Sequence, residues 1–115
     1  MTLQAWTKTN IWGELERWYR LPKRLSVDTL RALGGDPQVL AGPWSAVCRA
    51  ELSIYGQEIW LSGHNGGLLL CASTRSNTPL VFAEVDARMT RLFGPLDELV
   101  DVGEEQLGPH LVQGA

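Results

Sequence analysis

Apolar and polar positions alternate with a period of two through the middle of the chain. The alternation runs through residues 46–54 and again from Gln57 to Thr74, on both sides of Asn65-Gly66. Such a pattern predicts strands that have one apolar face. Asn-Gly favours a two-residue hairpin turn, because both turn residues must take positive φ. The stretch therefore predicts a three-stranded antiparallel meander.

The register of this meander follows from its two turns. A two-residue loop at Asn65-Gly66 predicts the pairs Gly63–Leu68, Leu61–Leu70 and Ile59–Ala72 on an apolar face, and Ser62–Leu69, Trp60–Cys71 and Glu58–Ser73 on a mixed face. Tyr disfavours positive φ, so a bulged turn at Tyr55-Gly56, which would shift the register by one residue, is the alternative to a two-residue turn. A two-residue turn there predicts the pairs Leu52–Ile59, Ala50–Leu61 and Glu51–Trp60 between the first two strands. One apolar face then continues across all three strands.

Helical spacing and capping signals predict the remaining elements. A helix from Asn10 to about Arg20 is predicted, because the apolar residues at i, i+1, i+4, i+7 and i+8 share one face that would be buried; they are Ile11, Trp12, Leu15, Trp18 and Tyr19. Ser26 and Gly34 bracket a short helix, Val27 to Leu33. Two further features are predicted: one helical turn from Asp36 through Ala41, and a helix over Pro79–Phe93 that Leu96–Val102 extends by a turn. A fourth strand at Leu80–Val85 is the alternative for the start of that last helix.

These elements define an α+β fold in the order α-α-β-β-β-α. The expected architecture is a three-stranded, or with Leu80–Val85 a four-stranded, antiparallel sheet with helices packed on one face. The chain has 115 residues, which is the size of one domain. We expect residues 1–102 to form it and residues 103–115 to form an acidic, flexible tail.

Composition narrows the class of protein. No apolar run is long enough for a membrane span, and the N-terminus lacks the features of a signal peptide, so we expect a cytoplasmic protein. Eight Arg against two Lys suggest a GC-rich bacterial genome or a mobile element. The net charge of −3 is uneven, because the first 35 residues carry a basic excess and the last 21 carry five acids and no base.

Residues that could carry chemistry are few. The two histidines, His64 and His110, lie far apart and at no short spacing from a cysteine, so no metal site is expected. Cys48 and Cys71 are expected to be buried thiols. The Gly-rich turn joins two strands and does not open a helix, so it is no phosphate loop. The sequence therefore predicts a non-enzymatic protein that needs no cofactor.

The mixed sheet face is the main candidate for binding. Its predicted partner-binding residues are Arg49, Glu51, Glu58, Trp60, Ser62 and Leu69. An exposed Trp next to Arg is typical of contact surfaces, although the acidic tail or the N-terminal arm with Trp6 could instead cover Trp60. We therefore expect a small protein-binding module, an adaptor or inhibitor, that uses this sheet face or a sheet edge to bind another protein or a second copy of itself in a homodimer.

The alternative function is a nucleic-acid-binding accessory protein. Its contacts to phosphates would come from the basic, aromatic N-terminal helix, through Arg17, Arg20, Lys23 and Arg24. A helix-turn-helix over residues 26–40 is not favoured, because Pro37 and Gly42-Pro43 confine its second helix to one turn.

Overall fold

The computed structural model describes residues 2–41, 46–75 and 79–100. The elements in chain order are β1 Leu3–Thr9, β2 Leu15–Arg20, α1 Val27–Ala32, β3 Gln38–Ala41, β4 Ala46–Ile54, β5 Gln57–His64, β6 Leu69–Ser73, α2 Pro79–Phe93 and β7 Leu96–Glu98. The strands form one seven-stranded sheet in the order β3-β4-β5-β6-β2-β1-β7. All neighbours are antiparallel except β1 and β7, which are parallel.

The predicted fold class is wrong. The described chain forms a seven-stranded mixed sheet with two helices, and not a three- or four-stranded antiparallel sheet in the order α-α-β-β-β-α. Three predicted helical segments are strands or turns in the structure. The predicted helix from Asn10 to Arg20 is the turn and second strand of the β1–β2 hairpin, residues 36–41 lead into and form β3, and Leu96–Glu98 form β7.

The predicted pairing of β4 with β5 is confirmed. Leu52 lies opposite Ile59, Ala50 opposite Leu61 and Glu51 opposite Trp60. Tyr55 takes the positive φ of 53° that a two-residue turn at Tyr55-Gly56 requires, so no bulge shifts the register.

The predicted pairing of β5 with β6 is wrong by two residues. Leu61 lies opposite Ala72 and Trp60 opposite Ser73, because four residues connect the strands. Of Asn65-Gly66, Gly66 has positive φ and Asn65 does not. The backbone after the turn pairs elsewhere: the Leu21 N–H donates to the Leu68 carbonyl and the Leu25 N–H to the Gly67 carbonyl, both at 2.7 Å.

A shift of two residues keeps each side chain on its predicted face, because the period of a strand is two.

The chain segment between β2 and α1, which contains Leu25, is in close contact with β5. A Cβ at Gly63 would lie 2.6 Å from the Leu25 Cδ2 and 2.5 Å from the Leu69 carbonyl oxygen.

Both described helices match their predicted positions. α1 begins after Ser26 and ends before Leu33, and Gly34 follows with a φ of 99°. α2 spans Pro79–Phe93, so the alternative strand at Leu80–Val85 is wrong. None of the helices in the described residues combines the length and the apolar character needed to cross a membrane.

The hydrophobic core lies between the two helices and one face of the sheet, which we call the covered face. It includes Leu30 of α1, Val85 and Met89 of α2, and the side chains of Ile59 and Leu70 from the sheet, all fully or almost fully buried. The other face, the open face, has no helix of the described chain in its hydrophobic cluster. The predicted tail, residues 103–115, lies outside the described residues.

Candidate protein-binding groove

The predicted partner-binding residues of β4 and β5 lie together on the open face. Cross-strand pairing brings Arg49 opposite Ser62, Glu51 opposite Trp60 and Glu58 next to them at the end of the pair. Trp60 is half-buried, so its own chain encloses the side chain only in part and the rest remains in contact with solvent. The Arg49 guanidinium lies over the Trp60 ring, 5.6 Å from its centroid, within the range of a cation–π contact.

Leu69 does not join this group. It lies opposite Arg20 of β2, is almost fully buried, and packs with Trp6, Trp18 and Leu99 in a second hydrophobic cluster on the open face. The two indoles of this cluster face each other across β1 and β2, stacked at 6.4 Å with an angle of 8° between the rings. This half of the open face is therefore closed by apolar packing, while the β4–β5 half is accessible.

Trp60 lies at the floor of a groove of about 560 Å³. The residues that line it are Asn10, Trp12, Glu14, Glu16, Arg49, Trp60, Leu61, Ser62, Ser73, Thr74 and Arg75. A smaller depression of about 210 Å³ lies on the side toward β3 and shares Arg49 and Trp60 with the groove. The groove combines two indoles, two arginines and two carboxylates, a set that can hold an apolar side chain and charged groups next to it.

The wall of the groove is the tip of the β1–β2 hairpin. Here Ile11 and Trp12 are 89% and 76% exposed. Asn10 holds the tip in shape, because its side-chain oxygen accepts hydrogen bonds from the backbone N–H of Trp12 at 3.0 Å and of Glu14 at 2.9 Å. The Asn10 N–H also donates to the Glu14 carbonyl at 2.9 Å, and Gly13 turns the chain with a φ of 78°.

Sequence reasoning did not place Trp12 among the candidate site residues, although it lines the groove. It placed Ile11 and Trp12 on the buried face of a helix, whereas the structure shows two large apolar side chains in solvent. The signal that identifies them is Asn10 followed three residues later by Gly13, a spacing at which an Asn side chain can cap its own turn.

The four residues predicted to bind nucleic acid do not form one surface. Arg17 is buried on the covered face, where it is 6% exposed and bound to Asp86 and Glu98. Arg20 belongs to the open face of β2, Lys23 lies 5.6 Å from the Phe93 ring centroid, and Arg24 donates to the Gly66 carbonyl at 2.8 Å.

Arg17 uses every donor that its side chain has. The Nε and Nη2 groups donate to the two oxygens of Asp86 at 3.0 and 2.9 Å, and Nη1 and Nη2 donate to the two oxygens of Glu98 at 2.8 and 2.6 Å. The second Nη1 hydrogen reaches the Thr7 hydroxyl at 2.9 Å. Burial by itself would lower the pKa of Arg17, but the hydrogen bonds to Glu98 and Asp86 raise it, so the guanidinium stays charged and is occupied within the fold.

The two cysteines, which both lie in the described part of the chain, are poor candidates for a catalytic nucleophile. Burial raises the pKa of the Cys71 thiol, and the nearby Glu16 carboxylate raises it further, which opposes formation of a reactive thiolate. Cys48 and Cys71 are both buried free thiols. Within the same part of the chain, no three potential ligands lie close enough to bind a metal ion.

No family model, curated protein or solved structure matches the chain. The function proposed for it therefore rests on its own residues.

Proposed function

We propose that the protein is a non-enzymatic protein-binding module that captures a partner protein in the groove between Trp12 and Trp60. The observation that carries this proposal is Trp12, an indole that is three-quarters exposed on a tip that Asn10 holds in shape. Protein interfaces take most of their binding energy from a few aromatic and arginine side chains. Trp12, Trp60 and Arg49 bring these residue types to one groove.

The shape of the tip supports binding with a low entropic cost. Two side-chain and two backbone hydrogen bonds hold residues 10–14 before any partner arrives. A surface that is ordered in the free protein loses less conformational entropy on association. The exposed indole therefore provides a large contact area, and the backbone that carries it needs little further ordering on binding.

The charges of the groove define the chemistry of the partner. Arg49 lies over Trp60, and Arg75 lines the groove at the end of β6. A partner segment with an apolar side chain between an acidic and a basic one would place the apolar group between the two indoles, the carboxylate near the arginines, and the cation near Glu14 and Glu16. The proposed partner is thus a protein that presents such a segment, and the proposed site of action is the cytosol.

The test is capture of a partner followed by a titration with purified components. The immobilised protein is used to isolate binding proteins from the source cell, and the partner is identified, purified and titrated by calorimetry. We expect Trp12→Ala and Trp60→Ala each to weaken its affinity by at least about 30-fold, since hot-spot residues contribute about 2 kcal/mol or more.

Tyr55→Ala is the matched control, because Tyr55 is an equally exposed aromatic residue, 72% accessible, in a turn remote from the groove lining. It should leave the affinity unchanged. Equal binding by wild type, Trp12→Ala and Trp60→Ala would overturn the proposal, as would an affinity loss in Tyr55→Ala alone.

A further inference from the structure

The two edges of the sheet differ in charge. The described sheet ends at β7 on one side and at β3 on the other. β7 has three residues, and two of them, Asp97 and Glu98, are exposed acids. Charged side chains and short length are the usual means by which proteins keep an edge strand from pairing with another chain. A second copy that approached this edge would bring its own acids against these two.

The β3 edge is only one residue longer than β7, but it lacks the charged side chains. Gln38–Ala41 contains no charged residue and no proline, and it pairs over its whole length with β4 on its inner side. No strand of the described chain lies on its outer side. The outward amide and carbonyl groups of a strand in this position can pair with a further strand.

Val39 adds an apolar group to this edge. It lies opposite Cys48, which is fully buried in the core, so Val39 belongs to the covered face. It is nevertheless 48% exposed, one of the large hydrophobic side chains that the described chain leaves in solvent. An added strand would cover it.

We infer that two copies of the chain pair through β3, antiparallel and in register around Val39, and so join their sheets edge to edge. A two-fold axis perpendicular to the sheet keeps the covered faces of both copies on one side. Directly opposite residues must point to the same face, so Val39 faces Val39 of the second copy, and Gln38 faces position 40. This register brings together two half-exposed valines and no like charges, which makes the edge complementary to itself.

The expected association is weak and reversible, because four residues bury less surface than a standard interface. Sedimentation of the full chain from about 5 to about 500 µM covers the range in which a small interface associates. The mass should rise with concentration toward twice the 12.7 kDa of one chain. Val39→Lys, which places two ammonium groups opposite each other, should weaken dimerisation at least about tenfold.

Leu92→Lys is the matched control, since Leu92 is 41% exposed and belongs to α2 and not to an edge strand. It should dimerise as the wild type does. A wild type that stays monomeric at the highest concentration would overturn the inference, and so would equal dimerisation of Val39→Lys.

A covalent trap tests the register itself. Opposite residues in an antiparallel pair have Cα atoms about 4.5–5.5 Å apart, a separation that a disulfide spans. Under mild oxidation Val39→Cys should form a disulfide-linked dimer, whereas Leu92→Cys should not. Equal crosslinking of both variants would contradict the proposed register. Because these substitutions lie outside the lining of the Trp12–Trp60 groove, failure of this inference and failure of partner capture give separate results.

Discussion

At the scale of single residues, Arg17 connects distant parts of the fold through five side-chain hydrogen bonds. It sits in β2 on the covered face and joins β1 through Thr7, α2 through Asp86 and β7 through Glu98. Tyr19 completes the group, because its hydroxyl donates to Asp86 at 2.5 Å. A buried charge is tolerated only where hydrogen bonds replace its hydration, and here all five guanidinium hydrogens have acceptors.

Replacing Arg17 by Met should therefore destabilise the fold strongly. The change leaves Asp86 and Glu98 without their cation and beside a buried tyrosine, so we expect the free energy of unfolding to fall by about 3 kcal/mol. Urea denaturation at pH 7 measures this loss. The control is Arg31→Ala, which breaks the exposed pair with Asp28 and should change stability by less than about 0.5 kcal/mol. Similar losses in both variants would contradict the role of Arg17.

At the scale of elements, the same arginine explains why the β1–β2 hairpin was mistaken for a helix. The β2 residues on the covered face are Leu15, Arg17 and Tyr19, and the charged Arg17 interrupts the alternation of apolar and polar residues that would indicate a strand. Trp18 on the open face then completes an apolar spacing that fits a helix. A sequence shows only that an arginine is polar, and its acceptors on α2 and β7 are more than 65 residues away.

Elements whose signals are local were predicted well. The β4–β5 register follows from alternation around a two-residue turn, and α2 follows from Thr78-Pro79 at its start and Gly94-Pro95 at its end. The β5–β6 register failed because hydrogen bonds from Leu21 and Leu25 occupy the backbone after Gly66. Of the candidate site, the β4–β5 residues were found by alternation, and Trp12 was missed together with its hairpin.

The β1–β2 turn should depend on Asn10. Asn10→Ala removes the acceptor of the Trp12 and Glu14 N–H groups, and we expect a loss of about 1 kcal/mol in the free energy of unfolding. Ile11→Ala, at the most exposed position of the same turn, should cost almost nothing. Thermal and urea denaturation of the two variants separate these effects. Equal stability of Asn10→Ala and wild type would show that the turn does not need its side-chain hydrogen bonds.

At the scale of the whole molecule, neutral groups that titrate only at high pH are enclosed in the fold. Burial raises the pKa of Tyr19, and the neighbouring Asp86 carboxylate raises it further. Burial also raises the pKa of Cys71 and of Cys48. In the unfolded chain these groups titrate near their ordinary values of 10.0 for Tyr and 9.0 for Cys. Above those values the unfolded state binds fewer protons than the folded state, so stability must fall as the pH rises.

The loss of stability at alkaline pH should therefore follow the ionisation of the two cysteines first and of Tyr19 second. We expect the stability contribution of these groups to be fully present up to about pH 8.5 and to decline above pH 9, at up to about 1.4 kcal/mol per pH unit for each titrating group. The double variant Cys48→Ala/Cys71→Ala should delay the decline by about one pH unit, to the range where Tyr19 of the unfolded chain ionises. Urea denaturation between pH 7 and pH 11 tests both statements. A wild type whose stability is constant to pH 11, or a double variant with the same onset as wild type, would mean that folding does not hold these groups in their neutral form.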